Sequence, residues 1–349
     1  MKFFGSSRAI STRVRLATTG LAAMATLTGG LMLSTGNATA AGMPWTTISV
    51  GIALSPPKVI FMAPYVAQLK GFFAKEHLNV HFISMPNGLQ TELGTTSGSI
   101  NFGFSSATDA IEAAAAGAPI RAIASYGQTL DTECIAAPGI TSATQLIGQP
   151  VGSTGADGFS VTTLAACLAP AGVTISQTNP ITMTRSEFVP ALETGRIKVA
   201  VFHIDDAYVV MHGLPGATVL AKEYETLPNW WYGGITTLNS YAKSHVAVTE
   251  RFLTAMTLAN RWMNNPKNTT ALINIGVKET QEDRGAVTNA VHFLQAAKTW
   301  PVNVGLSQKS EHYTAVKLFQ LKTITKLPSY SQVIDPTYMN AVIAQLGKV

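Results

Sequence analysis

Residues Gly98–Ser125 read GSINFGFSSATDAIEAAAAGAPIRAIAS, and this stretch decides the fold. Ser99–Phe104 carries aromatic and apolar residues between small ones and predicts a strand. Ser105–Ala116 is alanine-rich and predicts a helix, stopped by Gly117 with Pro119 just beyond. Pro119–Ser125 turns apolar again and predicts the next strand. Strand, helix and strand in immediate succession make a βαβ unit, the building block of parallel sheets.

The same alternation continues outward on both sides. Upstream, Thr47–Ala53 (TISVGIA) is a strand, Leu54–Lys58 is proline-rich, and a helix spans about Met62–Phe73 with Pro64 in its first turn. Asn79–Ser84 (NVHFIS) is a second strand, followed by the turn Met85–Gly88 and a helix through Leu93. Downstream, a second unit begins near Asp131. Its strands are Glu133–Ala137, Pro150–Ser153, Ile181–Met183 and Val199–His203. Its helices are a short one at Ser142–Leu146, a long one at Gly158–Leu168 and a third at Ser186–Glu193. From about Ser240 the chain is mostly helical, with apolar residues three and four apart in Val246–Asn264 and Gly285–Lys298 and with Pro266 and Pro301 as stops. The expected class is α/β in two lobes, each a central, mostly parallel sheet flanked by helices.

The first 40 residues read as a secretory signal. Lys2, Arg8, Arg13 and Arg15 precede an acid-free apolar run from Leu16 to Leu33, and Ala38-Thr39-Ala40 offers a small-residue cleavage site. Cleavage near Ala40 would leave 309 residues, more than a single core comfortably holds, so two domains are expected. The formal charge of +5 comes largely from that leader: beyond residue 40 there are 20 cations against 19 acids, with no clustered basic face for nucleic acid. Cys134 and Cys167 would enter an oxidising compartment, where either a disulfide or two buried thiols is consistent with the sequence.

Four segments carry a resemblance to a known family: YVAQLKGFFAKEHLNVHF at Tyr65–Phe82, the opening stretch Gly98–Ser125, ITSATQLIGQPVGSTGADGFS at Ile140–Ser160, and VPALETGRIKVAVFHIDDAYV at Val189–Val209. In this order they resemble the periplasmic substrate-binding proteins of ABC importers for nitrate, sulfonates and taurine, and the related binders of thiamine-pyrimidine precursors (NMT1/THI5-like). The resemblance covers about residues 47–265. It implies the two-lobed type II periplasmic-binding-protein fold, with lobe I formed by 44–130 plus 230–349 and lobe II by the inserted 131–229. It implies a monomeric receptor that closes on a small molecule and delivers it to a permease and ATPase complex in the inner membrane, with no catalysis, cofactor or metal of its own.

Ligands of open α/β sheets gather outside the carboxyl ends of the strands, so the loops there supply the candidates. Ser55, Pro57 and Phe61 form a stiff apolar wall at the start of the first helix. Asn87 can cap a helix and offer its amide to a ligand. Ser105, Ser106 and Thr108 stand at a helix start whose unpaired N–H groups suit an oxyanion. Ser153, Thr154, Asp157 and Phe159 belong to a small-residue loop that lets backbone approach a ligand, although it has neither the P-loop nor the dinucleotide spacing. A carboxylate at Asp157 would repel an anion unless it caps the helix or meets a cationic ligand group.

His203 and Asp205 follow the strand Val199–Phe202. Related proteins commonly place a tryptophan-containing stretch there, and the histidine instead favours a heteroaromatic or carboxylate ligand over nitrate or sulfonate. Trp231 lies where the chain should return to lobe I, to clamp a planar ligand or to pack the hinge. No predicted cleft loop holds an obvious arginine: Arg121 falls in a strand, while Arg185 and Arg196 flank a helix.

The enzyme alternative finds no G-x-S-x-G, H-E-x-x-H, Walker or C-x-x-C motif. Relatives that synthesise pyrimidine use a cysteine-rich iron-binding segment, which two cysteines cannot supply. A ligand sensor docking on a membrane receptor would have the same lobes.

Overall fold

The computed structural model describes residues 43–349; the expected secretory signal and its cleavage site lie outside the described residues. Ten strands form two five-stranded sheets. They are β1 (Thr46–Ala53), β2 (Leu78–Met85), β3 (Phe102–Ser106), β4 (Ile120–Gly127), β5 (Thr132–Ala136), β6 (Pro150–Ser153), β7 (Asn179–Thr182), β8 (Val199–His203), β9 (Thr218–Lys222) and β10 (Gly233–Leu238). The first sheet has the order β2-β1-β3-β10-β4 and the second β7-β6-β8-β5-β9.

The opening stretch folds as the alternation requires, with one change. Its strand begins three residues later than expected, at Phe102, and its helix runs Ala107–Ala115. β3 and β4 are not neighbours. β10 lies between them, antiparallel to both, with Gly234 opposite Ser105 on one side and Ser125 on the other. The second sheet repeats the device: β6 pairs in parallel with β7 and β8, while β5 runs antiparallel to β8 and β9. Each sheet is therefore mixed, and its antiparallel member is the strand next to where the chain passes from one sheet to the other, β5 after β4 and β10 after β9.

The inner strands β3, β5 and β8 are buried at every position because both faces of their sheets are covered there, while the edge strands β2, β7 and β9 are partly exposed. In β8, Val199 and Val201 belong to one core cluster and Ala200 and Phe202 to the other, because successive side chains point to opposite faces. In β5, Cys134 and Ala136 pack with the first set and Ile135 with the second. The core of the first sheet is larger and draws on the C-terminal helices; Phe102 stacks on Phe252 at 4.1 Å between ring centres. Cys134 is disulfide-bonded to Cys167 on the helix Phe159–Leu168, across 33 residues, which decides the choice the sequence left open.

Two expected elements differ in detail. The helix expected over Met62–Phe73 is two, Met62–Leu69 and Phe72–Lys75, separated at Gly71, whose φ of 72° breaks the helical run. Ser142–Leu146 is a single 3₁₀ turn over Ala143–Leu146 held by a capping box between Ser142 and Gln145. The long helix Val246–Asn264 has the expected bounds. Among the described residues no helix is long and apolar enough to cross a membrane.

Candidate functional site

The carboxyl ends of β3, β6, β7 and β8 converge on a cavity of about 40 Å³ lined by residues of both halves. From the first half come Phe61, Asn87, Ser106, Asp109, Tyr126 and Tyr232; from the second come Thr154, Asp157, Phe159, Ser160, Arg185 and His203.

The walls are aromatic. Phe61 lies 5.1 Å from Tyr126, and Tyr126 meets Tyr232 edge to face at 5.6 Å. Phe159 meets the same Tyr232 edge to face at 5.5 Å and stacks near His203 at 6.3 Å. Such edge-to-face sets fix ring orientation beyond the area they bury. His203 is 1% exposed, and its Nδ1 is held 2.9 Å from the equally buried Asp131 Oδ1, which sets the orientation of the ring.

One end of the cavity is acidic. Ser106 caps its helix by accepting from the Asp109 N–H at 3.2 Å, and its hydroxyl donates to Asp109 Oδ2 at 2.6 Å. The Phe159 N–H, across the cleft, favours the charged form of the same carboxylate. Two glycines make that approach possible: a Cβ on Gly158, where φ is 86°, would stand 2.7 Å from Asp109 Oδ1, and one on Gly88 only 1.9 Å from Oδ2. Burial pushes the Asp109 carboxyl up to about 6. Behind it, burial and then the charges of Asp109 and Asp157 push Glu112 up to about 9. No lysine, arginine or histidine is within ion-pair distance of Asp109 among the described residues.

The other end holds Arg185, on the turn that follows β7. It is buried, donates from Nη1 to the Val201 carbonyl, and lies 4.8 Å over the Phe188 ring. Its Nε has no hydrogen-bond partner, and no carboxylate is within ion-pair distance among the described residues. The expectation of a cleft without arginine is thereby corrected. Arg185 was legible as lying two residues beyond the strand Ile181–Met183, in the kind of loop that supplies cleft residues in such sheets.

Of the candidates from sequence, the cavity is lined by Phe61, Asn87, Ser106, Thr154, Asp157, Phe159 and His203. The others are engaged elsewhere. Ser55 is exposed and Pro57 buried outside the cavity. Ser105 donates to Glu92 inside the first half, Thr108 is fully buried, and Ser153 donates to the Gly155 carbonyl at 2.8 Å. Trp231 packs in the core, its Nε1 donating to Ser125 Oγ at 3.1 Å, so its neighbour Tyr232 is the residue that reaches the cavity. Asn87 caps its helix by accepting from the Gln90 N–H at 2.9 Å, and its amide donates to the Thr154 carbonyl of the opposite half at 3.3 Å. Asp109, Tyr126, Arg185 and Tyr232 are among the lining residues that the sequence alone did not single out.

Asp205 turns away to a second seam between the halves. Its Oδ2 accepts from the Val59 N–H at 3.1 Å, and beside it the Lys58 ammonium donates to Asp206 Oδ1 at 2.6 Å and to Glu282 Oε1. Burial alone would lower the Lys58 ammonium, but Asp205, Asp206 and Glu282 outweigh it and hold its pKa above the usual lysine value. Burial and the Asp205 charge push Glu282 up to about 9 against the pull of Lys58.

With this geometry in view, the sequence matches the family described as "NMT1/THI5 like" over residues 59–269. Among curated proteins none matches. The fold is shared with the nitrate-binding protein NrtA of Synechocystis PCC 6803 (TM-score 0.73, 10% identity, covering 87% of this chain and 89% of that one). It is shared also with the alkanesulfonate-binding protein SsuA of Xanthomonas axonopodis pv. citri bound to MOPS (TM-score 0.67, 13% identity, 84% and 99%). A mutant of DszB in complex with biphenyl-2-sulfinic acid is similar as well (TM-score 0.61, 12% identity, 86% and 99%). At these identities the likeness is one of fold.

Proposed function

The chain belongs to the NMT1/THI5-like family, and from that membership we propose that it is an extracytoplasmic solute-binding receptor. In this reading it is exported to the periplasm with its signal cleaved near Ala40. It then captures a small organic or anionic solute between lobe I (44–130 plus 230–349) and lobe II (131–229). As a monomer it hands that solute to the permease and ATPase of an ABC importer. The observation that carries the reading is the cavity itself: its walls come from both sheets, and Phe159 and His203 against Tyr232 and Asn87 against Thr154 bridge the two halves across it.

The mechanism follows from that arrangement. Opening would part Phe159 from Tyr232, break the hydrogen bond from Asn87 to Thr154, and remove the Phe159 N–H from beside Asp109. A free volume of about 40 Å³ is below the roughly 300 Å³ of a small-molecule pocket, so a solute enters the open form and closure follows. Both cysteines of the chain are in the disulfide, so no thiolate nucleophile is at hand.

One observation favours a second reading. A cavity histidine oriented by a buried aspartate, as His203 is by Asp131, is the arrangement of a general base. No serine, threonine or cysteine hydrogen-bonds to that ring among the described residues. Thermal-shift screening of nitrate, alkyl and aryl sulfonates, aromatic carboxylates, amino acids and pyrimidines is the test. A solute that raises Tm and is recovered unchanged supports the receptor. Turnover of the solute would replace it by the enzyme, and the absence of any stabilising solute would refute both.

A further inference from the structure

Two buried ionisable groups of opposite sign line one cavity, and neither has an oppositely charged partner within ion-pair distance among the described residues, although Asp206, Asp131 and Asp205 act on Arg185 from further away. Asp109 is 3% exposed and Arg185 is 7% exposed; no ion pair includes either of them among the described residues. An uncompensated charge in such a place is costly unless something else supplies the counter-charge. The two are not paired with each other, and their surroundings differ. Asp109 sits against Ser106 and the Phe159 N–H, with Asp157 lining the same end and no lysine or arginine lining it. Arg185 sits against Val201 and Phe188, with one guanidinium nitrogen spent on a carbonyl and Nε unused. Phe61, Tyr126, Phe159 and Tyr232 line the same cavity.

We propose that the solute is a small zwitterion, an amino carboxylate whose ammonium group meets Asp109 and Asp157 while its carboxylate meets the free edge of Arg185. The inference rests on the receptor reading above and names its substrate class. Each half then contributes one charge, Asp109 from the helix after β3 and Arg185 from the turn after β7. A molecule with both charges engages both halves at once and favours the closed form. A simple anion satisfies only Arg185 and meets two carboxylates at the other end, which disfavours it by like-charge repulsion. The Nε edge of a guanidinium presents two parallel N–H groups to a planar carboxylate, a match that an ammonium cannot make. The aromatic walls suit an ammonium cation, through their faces, and a flat apolar spacer.

The test is isothermal titration calorimetry on the signal-free chain with matched triplets of similar size. One is 4-(aminomethyl)benzoate, 4-methylbenzoate and benzylamine; another is 4-aminobutyrate, butyrate and butylamine. The zwitterion of at least one triplet is expected to bind about tenfold or more tightly than either singly charged analogue. Asp109→Asn should remove most of that advantage while leaving the weak binding of the carboxylate unchanged or improved. Arg185→Gln should weaken the carboxylate and the zwitterion together and spare the amine. Asp157→Asn, exposed enough to leave folding intact, should give a smaller loss in the same direction as Asp109→Asn.

A simple anion that binds as tightly as its zwitterion, or a zwitterion indifferent to both Asp109→Asn and Asp157→Asn, overturns the inference. So does binding of solutes from another charge class when every zwitterion fails, and in that case the receptor reading stands. If no solute of any class binds, the receptor reading falls and this inference falls with it.

Discussion

Two seams join the halves of this protein, and both bury carboxylates. At the first, Asp205, Asp206 and Glu282 surround the Lys58 ammonium, which supplies the counter-charge from within the chain. At the second, Asp109 and Asp157 line the cavity with Glu112 behind them; Asp109 accepts from Ser106, and none of the three has a cation within ion-pair distance among the described residues. The difference teaches where a ligand belongs. A seam neutralised by its own lysine needs nothing further and acts as a fixed tie. A seam left acidic retains an unmet interaction that a solute can supply.

The largest effect should come from breaking the neutralised seam. Lys58→Met leaves Asp205 and Asp206 buried without their cation, a situation that costs about 3–5 kcal/mol. Urea unfolding should show that loss, and a double variant Lys58→Met, Asp206→Leu should recover a large part of it. If Lys58→Met is as stable as the parent, the Lys58 seam is not a tie and the contrast with the cavity fails.

Reducing the disulfide should cost somewhat less and tests whether the seams or the sheet govern stability. Cys134 and Cys167 close a loop of 33 residues within the second half, for which chain entropy gives about 3–4 kcal/mol. The expected outcome is lower stability in reductant with solute affinity unchanged, because neither sulfur lines the cavity. Loss of affinity on reduction would mean that the second half moves as a whole when the bond opens.

Acidity should separate the seams next. Burial raises the carboxyls of Asp109 to about 6, Glu223 and Glu311 to about 7, Glu92 to about 8, and Glu112 and Glu282 to about 9. A carboxyl raised in the folded state stabilises fully below its unfolded value near 4, and that contribution is lost as pH climbs through the folded value. Tm should therefore fall between pH 5 and pH 8, by something on the order of 5 °C. Asp205, which Lys58 and His203 hold below the usual carboxylate range despite its burial, keeps its contribution throughout that window. A Tm that rises from pH 5 to 8 would mean these carboxyls ionise without penalty and the acidic seam is not truly buried.

How much of this was written in the sequence depends on how local each signal is. Helix starts at Asn87 and Ser106 were legible, because a capping side chain acts on the backbone two or three residues away, and both caps form. The strand VAVFH was legible because burial on both faces favours an apolar run, and so was SINFGF, although its strand is shifted to Phe102–Ser106. β10 was not. Gly233 and Gly234 weaken any strand signal, and both are required because Tyr126 and Trp231 pack where their Cβ atoms would stand. Direction within a cleft was illegible too: Asp205 and His203 are two residues apart, yet one turns to Val59 and the other to the cavity. That choice is made by Lys58 and Val59, nearly 150 positions away, and no local pattern carries it.

The smallest effect should be the most informative about the acidic seam. Asp109→Asn keeps the shape of the side chain while removing a charge that has no ion-pair partner among the described residues. By the argument that an unpaired buried charge is a burden, stability at pH 8 should stay within about 1 kcal/mol of the parent or rise. At pH 4, where the parent carboxyl is itself largely protonated in the fold, the two proteins should converge. The corresponding change at the other seam, Asp206→Asn, removes a carboxylate that Lys58 does hold and should destabilise at both neutral and alkaline pH. Opposite signs for these two isosteric substitutions, measured by urea unfolding side by side, would establish that one seam serves the fold and the other awaits a cation. Equal losses would mean that Asp109 is as structural as Asp206, and that the acidic end of the cavity is part of the tie between the halves.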